Sequence, residues 1–538
     1  MIGTQTGATD AYAAFQQQIG QGYDLLKQGR VEDARRLVDR LLESHAGNAE
    51  ALYLASEVRL EAGEVDAALA LISTAVDVAP GQFPLLLKKA RILILLRRRS
   101  EAKQIAADAA VVAGDDGRSL WAVGSVYGRC GDPATACRFY ERARAAGGRD
   151  PALLYDLAAA QFFTGDFIAA EENLDALLAE APDTGHALYL RSTLRRQTEA
   201  RNHVAELESR LGAGGLDAVG RAACMYALAK ELEDLGRNDA SFSALREGAA
   251  LKRQTLRYDA AAERESISAI AAAWSDEAMQ TPIPGHDEAG AIFIVGMPRT
   301  GTTLVERLLG RHSEVDSAGE LLDFGQLLAA AVQKILAIHP DKTPAEASLM
   351  IDFAALGRDY MASARQAAAG SQVFIDKMPI NFMYCGLIRK ALPNARVIHL
   401  VRDPLDSCYA AYKTLFNQAY PFSYEQEELG AYYATYHRLM QHWHAVMPGD
   451  IVDVHYEDLV ADVDGQARRI LAGCGLEWQD AVLDASGHDA PALTASAAQV
   501  REPVHTRSVG KWRDHEAGLA PLVASLVAAG IVDPQVRG

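Results

Sequence analysis

The sequence predicts a multidomain chain, an all-α repeat solenoid followed by an α/β domain whose parallel sheet is flanked by helices. Three observations carry this. A ladder of small residues recurs every 34 positions through the first third. Four short apolar runs after residue 290 each end on charged or polar residues. The first of these runs passes through a glycine-bounded turn into a helix start.

Length and charge bound the function. A chain of 538 residues holds two to four domains with ample core. A formal charge of −18 argues against a nucleic-acid-binding body, whose footprint would be basic. Met1 to Asp10 shows neither a basic n-region nor an apolar h-region. No apolar run approaches the ~18 residues of a membrane span. The six cysteines lack CxxC or other metal-ligand spacing. The expectation is a cytoplasmic protein with reduced thiols, no membrane contact and no metal.

The ladder reads Gly29, Gly63, Arg97, Gly131, Gly165. Five positions later stands alanine each time, at 34, 68, 102, 136 and 170. Seven positions earlier stands a small residue: Gly22, Ser56, Ala90, Gly124, Ala158. Small residues in both helices of a hairpin let two backbones approach, and the glycine ends the first helix. Five in-phase copies resemble the tetratricopeptide repeat over residues 15–190, which implies a groove for a protein or peptide partner or substrate. Lys88, Lys89, Arg91, Arg97, Arg98, Arg99 and Lys103 form a basic cluster there. It is either a solvated helix face or an attractor for an acidic substrate segment. Residues 191–280 read as a helical connector with one atypical capping hairpin around Gly236, flanked by Ala229 and Ser241. Two prolines and a glycine between Thr281 and His286 stop the helix, and the last domain runs over 286–538.

That domain opens on Ala291 to Val295, a buried-strand composition, then Gly296, the turn, and a helix from Leu304. A strand, a tight turn and a helix start make an anion cradle of backbone N–H groups. Gly296 and Gly301 have the P-loop spacing, but Thr302 and Thr303 stand where Lys and Ser/Thr would hold phosphates and Mg²⁺. Arg299 is the cation of the turn. Further strands at 372–377, 395–404 and 451–459 deliver Asp376 and Lys377, Arg402 and Asp403, and Tyr456 and Glu457 to their carboxyl ends, where open α/β sheets bind ligands. Asn381 to Leu392 reads as a crossover helix. Three cations beside an N–H cradle suit a multiply anionic ligand.

The segments Phe293-Ile-Val-Gly-Met-Pro-Arg-Thr-Gly-Thr-Thr-Leu304 and Val397-Ile-His-Leu-Val-Arg-Asp-Pro404 resemble the 5′-phosphosulfate loop and the 3′-phosphate segment of PAPS-dependent sulfotransferases. Ala318-Gly-Glu320, Phe374-Ile-Asp-Lys-Met-Pro379 and His455-Tyr-Glu-Asp-Leu459 are similar to tyrosylprotein sulfotransferases. The resemblance implies PAPS as donor, PAP as product, and a P-loop-like fold. It implies Glu320 as general base and Lys377 as the cation on the leaving phosphate. Pro298, Arg299, Thr300, Gly301, Thr302 and Thr303 would hold the 5′-phosphosulfate, Arg402 the 3′-phosphate, and Tyr456 would lie by the adenine. Ser496 would sit at the reacting centre and Lys511 near the phosphates. The family's serine eight residues after that arginine is Ala410 here, which leaves Ser407 as a candidate substitute.

Protein tyrosine is the acceptor the resemblance favours; carbohydrate, lipid or small phenol stay open. His312 is the rival base. A P-loop phosphotransferase using Mg²⁺ and a nucleoside triphosphate, and a non-catalytic scaffold with a decayed enzyme domain, are the alternative classes. His437, His442 and His444, beside Trp443, read as a helix face rather than a metal site.

Overall fold

The structure, a computed structural model, describes residues 3–368, 371–416, 419–484 and 504–533. The chain forms two compact units, Met1–Leu153 and Leu154–Gly538.

In the first unit antiparallel helices alternate at the predicted period: Val31–His45, Ala49–Glu61, Val65–Val78, Phe83–Leu95, Arg99–Ala113, Gly117–Arg129 and Pro133–Ala145 follow the first helix, Gly3–Lys27. The small-residue columns are buried because the two helices of a hairpin touch there. Ala34, Ala68, Ala102 and Ala136 are all buried, and a Cβ at Gly124 would lie 2.5 Å from the ring of Tyr140. Ser56 uses the same close approach to donate its hydroxyl to the carbonyl of Ala68 at 3.0 Å.

Every slot of the ladder takes a left-handed backbone, including the one that lacks glycine: Arg97 has φ +60°, beside +69°, +78° and +77° at Gly29, Gly63 and Gly131. A side chain in that region costs roughly 1–2 kcal/mol. Arg97→Gly should therefore raise the unfolding free energy of the first unit by about 1 kcal/mol. Denaturant titration of the two proteins measures this, and an unchanged midpoint would mean that the Arg97 side chain offsets the backbone term.

Part of the basic cluster is compensated within this unit. Lys88 pairs with Glu57 at 2.5 Å, Arg98 with Glu101 at 2.5 Å, and Lys103 with Asp132 at 3.7 Å. These three paired charges pull less on an acidic segment than the sequence count suggests.

The unit boundary falls in the first turn of the fifth hairpin, Pro151–Thr164 and Phe167–Glu180, which turns at Gly165 with φ +90°. The capping hairpin is Ala218–Asp234 and Asn238–Gln254, turning at Gly236 with φ +72°. Ser241 donates to the carbonyl of Ala229 at 2.7 Å, the Ser56–Ala68 contact with the two helices exchanged. These helices share one hydrophobic core with the α/β domain. Tyr226 donates to the carbonyl of Tyr412 at 3.0 Å, the amide of Leu415 donates to the Tyr189 hydroxyl at 3.1 Å, and the indole of Trp274 donates to Ser348 at 2.9 Å. This shared core puts the compact boundary at 153/154, upstream of residue 190 where the repeat pattern ends.

The sheet has five parallel strands: β1 (Ala291–Gly296), β2 (Val315–Ser317), β3 (Val373–Asp376), β4 (Arg396–Val401) and β5 (Ile451–His455), in the order β2-β3-β1-β4-β5. β1, the central strand, is buried throughout and pairs with β3 and β4. Open parallel sheets bind ligands beyond the carboxyl ends of strands whose connections leave in opposite directions, and that places the β1 turn at the mouth of the crevice. The crossover between β3 and β4 is a 3-10 turn, Pro379–Tyr384, leading into the helix Cys385–Ala391. β2 was not evident beforehand: three residues, Val-Asp-Ser, carry no apolar run.

Candidate active site

Each strand end supplies one part of the site. After β1 the chain turns through Met297 to Gly301 into the helix Thr302–Leu309. Arg299 takes φ +68°, a strained value for a residue with a side chain, and Gly301 takes φ +104°. A Cβ on Gly301 would lie 2.6 Å from the ring of Tyr456. A Cβ on Gly296 would lie 2.7 Å from the carbonyl oxygen of Leu400. Both glycines are therefore fixed by space and by backbone, and the turn stays narrow enough for N–H groups to face one point.

Glu320 and Lys377 are brought together by β2 and β3. Beyond their ladder the amide of Ala318 still donates to the carbonyl of Ile375 and that of Lys377 to the carbonyl of Gly319, both at 2.8 Å. Gly319, at φ +73°, swings the next residue across, and the Lys377 ammonium meets the Glu320 carboxylate. Glu306, on the helix after the cradle, lies 3.7 Å from the same ammonium. Sequence reading missed Glu306, since a glutamate on an amphipathic helix carries no signal of its own; its place one turn after Thr302 and Thr303 is the only hint. Lys377 is 1% exposed. Burial disfavours its charge most strongly, but Glu306 and then Glu320 outweigh that and hold its pKa above the ordinary lysine value.

Asp376, one residue before, is buried to the point that its pKa is pushed up to about 7, despite hydrogen bonds from Tyr360, the Leu321 amide and Asn381. In the unfolded chain an aspartate ionises near pH 3.9. Between that pH and about 7 the folded state holds the extra proton, so stability falls as pH rises through this window. Wild type should lose on the order of a few kcal/mol from this group between pH 4 and 7, and Asp376→Asn should lack that slope. Unfolding midpoints of both proteins at pH 5 and pH 8 check this; parallel profiles would contradict it.

Arg402 follows β4. Its guanidinium donates to the carbonyl of Arg299 at 3.1 Å and to that of Ser508, and stacks 4.6 Å from the Tyr456 ring centroid. It thus ties the cradle, the β5 end and the Ser508 segment together. Tyr456, expected beside a base, packs on Gly301 and Arg402. Asp403 caps the helix Pro404–Tyr412 by accepting from the amides of Leu405 and Asp406.

All of this opens on a cavity of about 1690 Å³. Its polar wall holds Pro298, Arg299, Gly301, Thr302, Glu320, Arg402, Tyr456 and Lys511. Aromatic residues line it too, with Tyr155, Phe162, Phe163 and Phe167 from the fifth hairpin and Tyr420 and Phe422 from the α/β domain. Four sequence candidates stand outside the wall. Thr300 turns its hydroxyl to the carbonyl of Met297 at 2.8 Å, and Thr303 is buried in its helix. Lys377 reaches the cavity through Glu320. Ser407 is fully buried, while Ala410 is in the wall. Ser496 lies outside the described residues.

His312, the rival base, is buried, with Nε2 3.0 Å from the carbonyl oxygen of Glu477 and Nδ1 accepting from the amide of Glu314 at 3.3 Å. Both ring nitrogens are engaged away from the cavity. His444 does not act with its helix neighbours alone: with His399 and Asp453 it places three potential ligand atoms within 4.8 Å of one another. Asp453 contacts His399 Nδ1 at 2.7 Å and His444 Nε2 at 3.1 Å, and the Tyr436 hydroxyl meets the other His399 nitrogen. A hydrogen-bonded network accounts for these groups, and none of the three lines the cavity. Among the described residues no helix is long and apolar enough to cross a membrane.

Comparison with known proteins follows the same division. Residues 291–480 match the model of the sulfotransferase family, and residues 19–83 match the tetratricopeptide repeat. An uncharacterized protein of Aquifex aeolicus is 32% identical over 343 residues, covering 62% of this chain and 45% of that protein. Protein-tyrosine sulfotransferase 1 of Danio rerio is 24% identical over 46% of this chain and 75% of its own length. The protein-tyrosine sulfotransferase of Drosophila melanogaster is 26% identical over 42% of this chain and 47% of its own. This chain thus spans less than half of the Aquifex protein. The sulfotransferase domain of the Synechococcus PCC 7002 olefin synthase is similar at 20% identity and a TM-score of 0.32, over 45% of this chain and 98% of that domain.

Proposed function

We propose, from a sulfotransferase-family domain at residues 291–480 joined to tetratricopeptide repeats, that the chain transfers a sulfuryl group from PAPS to an acceptor hydroxyl. The observation that carries this is that Glu320, which holds the ammonium of Lys377 behind it, shares the wall of one cavity with the Arg299–Gly301 cradle. The residues present fit such a donor. The turn at Gly301 leaves no room for a Cβ against Tyr456, Arg299 and Arg402 both line the cavity, and the cavity exceeds the several hundred Å³ of an ordinary small-ligand site.

PAPS supplies an activated sulfuryl group on a phosphate leaving group. The protein's part is positioning and charge. Arg299 and the N–H groups of Gly301, Thr302 and Thr303 hold the 5′-phosphosulfate. Glu320 takes the proton of the acceptor hydroxyl, whose oxygen forms the new S–O bond as the S–O bond to phosphate breaks. Lys377 donates to the bridging oxygen as negative charge gathers there, and PAP departs with it. Glu306 keeps Lys377 protonated for that task. None of these steps calls on a metal.

The aromatic lining supports an aromatic acceptor, and the protein-tyrosine sulfotransferase relatives make tyrosine in a polypeptide the first choice. The repeats would then gather the protein that carries it. Incubation with labelled PAPS and tyrosine-containing peptides, followed by identification of tyrosine O-sulfate, tests this. Label on a carbohydrate or lipid but on no peptide would move the acceptor to another class and leave the donor chemistry standing.

A further inference from the structure

The wall-facing stripe of the helix Pro404–Tyr412 reads Asp406, Tyr409, Ala410 and then Lys413, the residue that caps its C-terminus. These stand at the i, i+3, i+4, i+7 spacing of one helical face. Ser407 is off that face and fully buried, so it is poorly placed to replace the hydroxyl missing at 410. Asp406 is occupied in accepting from the amides of Gly510 and Trp512. Arg402 donates to two backbone carbonyls and lies on Tyr456, which commits two of its five donors to the fold and leaves the rest for a phosphate. A phosphate dianion arriving here carries more charge than one guanidinium balances, and a second cation completes the site.

Lys413 is that cation. Its ammonium lies 2.9 Å from one Glu233 oxygen and 3.0 Å from the other, and 4.9 Å from the centroid of the Tyr409 ring. Glu233 comes from the helix Ala218–Asp234 of the capping hairpin and itself lines the cavity. The Lys511 ammonium lies 4.0 Å from the same carboxylate and 2.6 Å from Asp514, which is partly in solvent. Tyr409 donates to Glu233 at 3.0 Å, and His515 Nε2 lies 3.9 Å away. Burial opposes the Glu233 charge, but Lys413, His515 and Lys511 hold its carboxyl well below the ordinary range. Two ammonium groups thus converge on one carboxylate at the cavity wall, beside a position with no donor of its own. Lysine is a mobile point charge and exchanges a carboxylate for a phosphate without rebuilding the site.

We propose that Lys413, held by Glu233 of the helical region, supplies the contact to the donor's 3′-phosphate that Ala410 leaves open. This rests on the donor reading above. It also gives the connector a direct part in cofactor specificity: Glu233 is a positioning residue that keeps Lys413 and Lys511 on the cavity side.

The test is the ratio of affinities for PAP and for 5′-AMP, which differ by the 3′-phosphate, measured by calorimetry on the full chain. Lys413→Met should lower that ratio at least about tenfold, equivalent to about 1.4 kcal/mol. Ser407→Ala should leave it unchanged. Because Lys413→Met takes from Glu233 its nearest cation, the double variant with Glu233→Gln separates a lost cation from an under-compensated carboxylate, and its ratio should stay low. A wild-type ratio in Lys413→Met, or its full recovery in the double variant, overturns the inference. So does a drop confined to Ser407→Ala. Failure of wild type to bind PAP at all would instead overturn the donor assignment.

Discussion

Glu320→Gln is expected to lower turnover by a factor of about 10²–10⁴, the usual worth of a positioned general base. PAP affinity should stay within about threefold of wild type, because the proposed role of Glu320 is on the acceptor hydroxyl and glutamine keeps its shape. Lys377→Met should also lower turnover, by about 10²–10³, through the loss of charge stabilisation on the leaving oxygen. The two side chains touch, so their effects should not add. The double variant is expected to be little worse than the poorer single one. Single-turnover rates with labelled PAPS, beside PAP titrations, separate these outcomes. Full turnover in Glu320→Gln would remove the base from this account and return attention to the acceptor's own acidity.

Gly301→Ala should weaken PAP binding by about 10- to 100-fold. Two independent costs combine. The backbone at φ +104° disfavours any side chain, and the added methyl meets the Tyr456 ring at 2.6 Å. Relief requires Tyr456 to move, and Tyr456 is the face on which Arg402 rests. The substitution therefore disturbs both of the proposed phosphate-binding arms at once. Arg402→Ala in the Gly301→Ala background should cost less than it does in wild type. PAP affinity within about threefold of wild type in Gly301→Ala would show that the β1 turn is not the phosphate cradle.

Much of this arrangement could be read from residues alone, and the reason is physical. The repeat ladder works through steric rules that act within one hairpin, so a period of 34 with small residues in fixed columns shows in the sequence, and even Arg97 holds its slot. The strand ends were legible because buried parallel strands are short, apolar and abruptly terminated, which left Arg299, Lys377, Arg402 and Tyr456 marked by position. What stayed hidden depends on contacts between distant segments. Glu233 meets Lys413 across 180 positions. Tyr226 meets Tyr412 across 186, which fuses the connector to the α/β domain and moves the compact boundary upstream. Glu306 and β2 were missed for a local reason: a helix glutamate and a three-residue strand look like ordinary surface. The grouping of His444 with His399 and Asp453 joins a helix to two strands, and no spacing within the helix could show it.

The most direct test of the central claim is calorimetric titration of the full chain with PAP, in EDTA and in Mg²⁺, on wild type and on Arg299→Ala. Wild type should bind PAP equally with and without the metal, and a folded Arg299→Ala protein should lose that binding. Absence of PAP binding, or binding of ATP only when Mg²⁺ is present, would contradict that claim and make the cradle a nucleoside-triphosphate site.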